Sequence, residues 1–308
     1  MRTRLRVALV VAFLTAVLVT AGCGGSGSGG TVITADGSST VGPFTTKAAE
    51  DWKAAGGSDV TVGISGTGGG FERFCVGETD ISNASRAIQD EEAAICAENG
   101  VEYVELQVAI DALTNVINAE NDWVTCLTVD QLNAIWKPGS TVSSWNQVDP
   151  SYPDVPLKLY GAGTDSGTFD YFTDVINGEE GASRSDFSPT EDDNVTVQGV
   201  SGDKGALGYF GYSYFEENAD TLKALEVDGG AGCVAPSVQT AQDASYTPLS
   251  RPLFMYVKTS SLADTEGLAD FVRYTLENEQ TIAEEARFVP LSQEQIDAQL
   301  QKLEDATA

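Results

Sequence analysis

Two periods of hydrophobic positions take turns along this chain. Thr31–Ala35 (TVITA) reads as a strand and Asp36–Thr40 (DGSST) as a turn, while Pro43–Ala55 carries Phe44, Ala48 and Trp52 on one helical face. Asp59–Ile64 alternates as a strand, and Ser65–Gly70 (SGTGGG) leads into a helix starting near Phe71. Asp90–Asn99 is helical in pattern; Tyr103–Ile110 and Thr114–Asn118 are β-rich runs. Strands alternating with helices at this spacing predict an α/β protein with a largely parallel sheet. A second α/β unit spans about Leu113 to Ser250. It holds a helix at Val129–Ile135, a loop at Lys137–Pro156, and Leu159–Phe172 (LYGAGTDSGTFDYF), read as a strand end, a Gly-rich turn and an amphipathic helix running to about Asn177. The aromatics of Gly205–Tyr214 (GALGYFGYSY) suit core packing beside a strand better than a stacking platform. Leu253–Val257 is a buried strand, followed by helices at Leu262–Leu276 and Gln280–Arg287. This last segment is expected to complete the first unit. Residues 31–112 with 251–308 then form one lobe and 113–250 the other, joined by two crossovers.

The N-terminus changes the picture of where this molecule works. Arg2, Arg4 and Arg6 precede a mostly apolar run from Val7 to Val19, too short for a membrane span of about 20 residues. Thr20-Ala21-Gly22-Cys23 closes the run and resembles the lipobox of bacterial lipoproteins, in which the cysteine is lipidated; Thr20 departs from the usual Leu. Residues 1–22 are read as the signal, and 23–30, including GGSGSGG, as a flexible tether between anchor and domain. Cys75, Cys96, Cys126 and Cys233 remain, an even count that favours two disulfides in an exported chain. Of three possible pairings, Cys75–Cys96 with Cys126–Cys233 is preferred because each bond then lies within one lobe.

Charge and composition narrow the chemistry. The net charge of −29 argues against nucleic acid or an anionic membrane as partner, leaving a lipid anchor as the expected membrane contact. It does not forbid a small anion in a local site, because distant charge is screened within about 8–10 Å. Histidine is absent, so no Ser-His-Asp triad, Cys-His pair or His metal site can form, and zinc is improbable without C-x-x-C spacing. No metal or other cofactor is expected.

Three places then share one design: Gly37-Ser38-Ser39-Thr40, Gly66-Thr67-Gly68-Gly69-Gly70 and Thr164-Asp165-Ser166-Gly167-Thr168. Each sets Gly with Ser or Thr where a strand gives way to a helix. A helix start offers unpaired N–H groups and about half a positive charge. One such turn is ordinary capping; three predict N–H and O–H donors converging on one oxyanion. A nucleotide site fits less well, since neither G-x-x-x-x-G-K-[ST] nor G-x-G-x-x-G occurs. Asp165-Ser166-Gly167 also matches the D-[ST]-G of aspartic proteases, but that hydrolase chemistry needs a second copy and an apolar strand before it, and both are missing. An adhesin or structural lipoprotein would explain the tether but not the three turns.

DGSSTVGPF, SGTGGGFERF, TDISNASRAI and GAGTDSGTFDYF, in this order, resemble the motifs of the phosphate-binding lipoproteins of bacterial ABC phosphate uptake systems, over most of Thr31 to Arg287. That resemblance implies a two-lobed periplasmic-binding-protein fold of type II, with the ligand site between lobes at a two-crossover hinge. It implies a monomeric receptor, lipid-anchored through Cys23 on the outer side of the cell membrane, that binds inorganic phosphate and hands it to permease subunits without catalysing a reaction. By the same resemblance Ser39, Thr40 and the Val41 N–H, Thr67, Ser166, Gly167 and Thr168 hold the anion. Two positions depart. Ala162 stands where better-known members carry an arginine, and Ser85 where they carry an aspartate. Arg86, directly after Ser85, is expected to supply the cationic clamp; otherwise it pairs with Asp90 or Glu91 at the surface. Phosphate carries a proton near neutral pH and sulfate does not, so a carboxylate acceptor selects phosphate. Asp165 is the first candidate acceptor and Asp36 the second, while Asp80 reads as a turn anchor. A receptor for another tetrahedral oxyanion, sulfate or molybdate, is the competing reading.

Overall fold

The computed structural model describes residues 32–164 and 166–308. The expected signal, Cys23, the tether and Asp165 lie outside the described residues. Among the described residues twelve strands occur: β1 (Ile33–Gly37), β2 (Val60–Val62), β3 (Ile81–Ala84), β4 (Tyr103–Asn118), β5 (Cys126–Thr128), β6 (Lys158–Ala162), β7 (Ser188–Thr190), β8 (Ala206–Gly211), β9 (Leu222–Ala224), β10 (Glu226–Asp228), β11 (Cys233–Val234) and β12 (Ser250–Lys258). The main sheet runs β2-β1-β3-β12-β4-β8-β6-β7, with β9 also on β4; β11-β10-β5 form a small second sheet. Helices cover both halves, giving the two-lobed α/β fold.

The sheet is parallel at each end and antiparallel in the middle. β2, β1 and β3 pair in parallel, as do β8, β6 and β7. β12 runs against both β3 and β4, and β4 against β8. A largely parallel sheet was the expectation, and the connectivity explains the difference: one strand carries the chain out of the first lobe and another brings it back, so the two must run in opposite directions. β4 is a single uninterrupted strand, although its polar residues read as a break between two runs. Its first part, Tyr103 to Ala112, pairs with β12, and Leu113 to Ile117 pair with β8. The pairing partner therefore changes between Ala112 and Leu113, beside the start of β12.

Each lobe has its own core. Ile33, Phe44, Ile81, Leu106, Val257 and Phe271 lie in one, and Leu127, Trp136, Trp145, Phe172 and Tyr209 in the other. Tyr209 stacks on Phe172 at 3.8 Å and meets Trp136 edge-on at 5.0 Å, so the Gly205–Tyr214 aromatics are core packing. Full burial of an aromatic of this size stabilises by about 2–3 kcal/mol. That anchoring presses the helix Gly167–Asn177 onto the sheet and fixes its N-terminus; Gly178, at φ 80°, ends it. Disulfides join Cys75 to Cys96 and Cys126 to Cys233. None of the helices among the described residues is long and apolar enough to cross a membrane.

Candidate functional site

A cleft of about 850 Å³ opens where the lobes meet. Its walls bring together Ser39, Thr40, Thr67, Ser85, Arg86 and Gly167 from the expected set, with Ser38, Ser65 and the glycines 66, 68 and 69. All three Ser/Thr/Gly turns therefore reach one space. In the first, Ser38 Oγ accepts from the N–H groups of Thr40 and Val41 at 3.2 and 3.4 Å, which folds the turn onto the start of the helix Gly42–Ala54. Val41 itself is buried. In the second, the helix Gly66–Phe74 approaches β1 so closely that a Cβ on Gly70 would stand 2.6 Å from the Gly37 Cα. The glycine run thus has a packing role at Gly70, and Gly37 at φ 134° adopts a conformation that L side chains avoid. Thr67 Oγ1 lies 3.0 Å from Ser85 Oγ and accepts from the Ser85 N–H at 3.2 Å.

The third turn belongs to the other lobe. Ser166 caps the helix, its Oγ accepting from the Thr168 N–H at 3.2 Å. Ser166 and Thr168 flank Gly167, which is the member of the triplet that lines the cleft. A Cβ on Gly167 would stand 2.7 Å from Thr40 Oγ1 and 3.8 Å from Ser39 Oγ. Two helix starts from opposite lobes therefore meet face to face, and glycine permits the approach.

Among the described residues Arg86 and Arg251 are the cations lining the cleft, and Asp170, Asp174 and Glu180 its carboxylates. Arg86 is engaged by Glu92 through two bonds of 2.8 Å, neither Asp90 nor Glu91 being its partner, and it lies 5.7 Å from the Phe71 ring. The Glu92 bonds hold the Arg86 guanidinium above its ordinary pKa. Glu92 also accepts from the Gln89 N–H and so caps the helix Asp90–Glu98. Arg251, at the start of β12, was not singled out from the sequence. Its Nε donates to Asp111 Oδ2 at 3.1 Å, its Nη2 donates to Thr40 Oγ1 at 3.1 Å, and its guanidinium carbon lies 3.8 Å from the Tyr171 ring centroid. Burial pushes the Asp111 carboxyl upward against the pull of that guanidinium. Burial, and then the charge of Glu180, push Asp170 upward as well, with Arg251 opposing.

The other aspartates considered from sequence have structural duties. Asp36 Oδ1 accepts from the Gly37 N–H at 2.7 Å and its other oxygen is paired with Arg73. Asp80 accepts from the N–H and hydroxyl of Thr34, both at 2.9 Å, and from the Thr265 hydroxyl at 3.0 Å. It is a turn anchor.

Two α/β lobes, two crossovers and a donor-lined cleft between them define a solute-binding protein of the periplasmic type. Residues 24–279 match the model of the PBP superfamily domain. Over 265 residues the chain is 48% identical to Protein SphX of Synechocystis sp., covering 85% of this chain and 79% of that protein. Over 298 residues it is 40% identical to the phosphate-binding protein PstS of Staphylococcus saprophyticus, covering 94% and 91%. The crystal structure of a possible phosphate binding protein from Planctomyces limnophilus superposes with a TM-score of 0.85 at 46% identity, covering 91% of this chain and 99% of that one. The chain belongs to the PBP superfamily and, within it, to the PstS-like phosphate-binding proteins.

Proposed function

We propose that this protein is an extracytoplasmic receptor that encloses inorganic phosphate between its lobes and delivers it to an ABC permease for uptake. The observation that carries the reading is the meeting of three Ser/Thr/Gly helix starts, from both lobes, in one cleft. Ser39, Thr40, the Val41 N–H, Thr67, Ser85, Ser166, Gly167 and Thr168 supply the donors, and Arg86 adds positive potential at the wall. Asp165 retains the role of proton acceptor from its place in the motif. No bond is made or broken, and no cofactor takes part. The receptor works as a monomer held to the membrane by lipid on Cys23.

Closure rests on differential binding, because an anion can touch both lobes only when they are shut. Isothermal calorimetry tests the reading. Phosphate at about micromolar concentration is expected to give saturable heat, and sulfate far less. Absence of heat with phosphate overturns the proposal, and tighter binding of sulfate or molybdate reassigns the ligand.

A further inference from the structure

We propose that Arg251 is the cation that contacts the bound anion, reaching it with the free Nη1 of a guanidinium held rigid at the hinge. The inference rests on the phosphate reading and adds to it a residue that no helix-start motif contains.

Positive charge is needed in this cleft. Asp170, Asp174 and Glu180 line it, and the helix starts supply only partial charges. The two guanidiniums at its walls differ in what holds them. Arg86 is bound on both Nη atoms by Glu92, and its Nη1 also donates to the Ala87 carbonyl at 3.1 Å. Turning Arg86 toward an anion would break a bidentate pair and disturb the carboxylate that caps the next helix. Arg251 is held along one edge only. Nε and Nη2 both lie 3.1 Å from the single oxygen Asp111 Oδ2. Its flat face rests on Tyr171, whose hydroxyl is tied to the Pro248 carbonyl at 2.6 Å. Among the described residues Nη1 has no acceptor, while Nη2 already reaches Thr40 Oγ1, a donor of the proposed site. A guanidinium fixed by a carboxylate on one edge and by a ring on its face presents Nη1 without rearrangement, beside the Thr40 hydroxyl that Nη2 holds, which suits an oxygen of a tetrahedral anion.

Its position matters as much as its charge. Asp111 is on the outgoing crossover strand and Arg251 on the returning one; Thr40 belongs to one lobe and Tyr171 to the other. The group is shared by everything that moves when the lobes close. An anion bound to Arg251 therefore stabilises the closed arrangement from the hinge outward.

Calorimetry with phosphate on Arg251→Met, Arg251→Lys, Arg86→Met and the double variant Asp111→Asn/Arg251→Met tests this. Arg251→Met is expected to weaken binding by about 100-fold or more, and Arg251→Lys, which keeps charge but loses the fork, by about tenfold. Arg86→Met should lose less than about tenfold. The double variant removes the buried carboxylate that the single one strands, so it carries the test if Arg251→Met does not fold; Arg251→Lys serves if neither folds. Binding within about threefold of wild type in any folded Arg251 variant overturns the proposal, since that difference is under 1 kcal/mol. If wild-type protein itself ignores phosphate, the functional reading fails instead.

Discussion

A methyl group placed at Gly167 should separate binding from stability. The alanine Cβ would stand 2.7 Å from Thr40 Oγ1 and 3.7 Å from Thr40 Cβ, across the boundary between lobes. The hydroxyl has nowhere to stay: Thr40 must rotate and surrender its 3.1 Å bond from Arg251, or the lobes must stop short of full closure. A hydrogen bond to a charged donor is worth about 1.5–3 kcal/mol, so phosphate affinity should fall roughly 10- to 150-fold. The same substitution costs the lobe nothing locally. Gly167 opens a helix without a positive φ, and Gly→Ala at a compatible position stabilises by about 0.4–1 kcal/mol. The expected pattern is weaker binding by calorimetry with an unchanged or higher melting temperature of ligand-free protein. Small-angle scattering in saturating phosphate should show the variant more extended than wild type. Wild-type affinity in Gly167→Ala would refute the reasoning, because it would mean that Thr40 and Gly167 are not opposed when the anion is held.

Two further predictions concern stability. Glu279 is fully buried, with one oxygen accepting from the Leu291 N–H at 3.0 Å, and burial pushes its carboxyl from 4.5 up to about 8. The folded state therefore keeps a proton that the unfolded chain releases, and stability should fall as pH rises from about 4.5 to about 8, by up to about 5 kcal/mol. Glu279→Gln retains the acceptor for Leu291 and should be more stable than wild type in urea at pH 8, the gap closing toward pH 4.5; parallel pH profiles of the two proteins would sink this account. The disulfides differ in the chain they span, 107 residues for Cys126–Cys233 and 21 for Cys75–Cys96. Loop-closure entropy assigns them about 4.8 and about 3.3 kcal/mol, so Cys126→Ser/Cys233→Ser should lower the urea midpoint more than Cys75→Ser/Cys96→Ser. The reverse order would show that native-state packing, and not chain entropy, decides their worth.

Much of the donor wall was readable because it is local. Gly-Ser-Ser-Thr, Gly-Thr-Gly-Gly-Gly and Ser-Gly-Thr each carry the turn, the cap and the hydroxyl within a few residues, and helix periodicity marks the segment after each turn. Arg251 has no such signature. Its partners Thr40 and Asp111 lie 211 and 140 positions away, and its neighbours Pro252 to Val257 announce only a buried strand. Arg86 drew the expectation of a clamp because it directly follows Ser85, one of the two departing positions, but the residue that engages it, Glu92, is only six positions on, within reach of a local turn. One signal for the hinge pair was present. Asp111 interrupts the apolar run VAIDALTNV, and a buried carboxylate in a strand needs a cation or donors to satisfy it. Read as a break in β4, it concealed the continuity of the strand; read as a charge seeking a partner, it would have pointed to an arginine on the strand alongside.

That pairing also explains how the charge can stand at the hinge while Ala162, at the end of β6, carries none. A cation on a lobe wall meets the ligand only after the wall swings in. Arg251 lies where the two crossover strands pair, in contact with Thr40 of one lobe and Tyr171 of the other. Asp111, directly opposite on the paired strand, holds its side chain in place before any ligand arrives, and less rotamer freedom remains to be lost on binding. The cost is a carboxylate beside an anion site, which lowers the net charge the ligand meets. Asp111 accepts through one oxygen on the Nε–Nη2 side, which leaves Nη1 for the ligand. Asp111 is thus the residue that makes a hinge-borne cation workable, and its loss should loosen Arg251 before it loosens the fold.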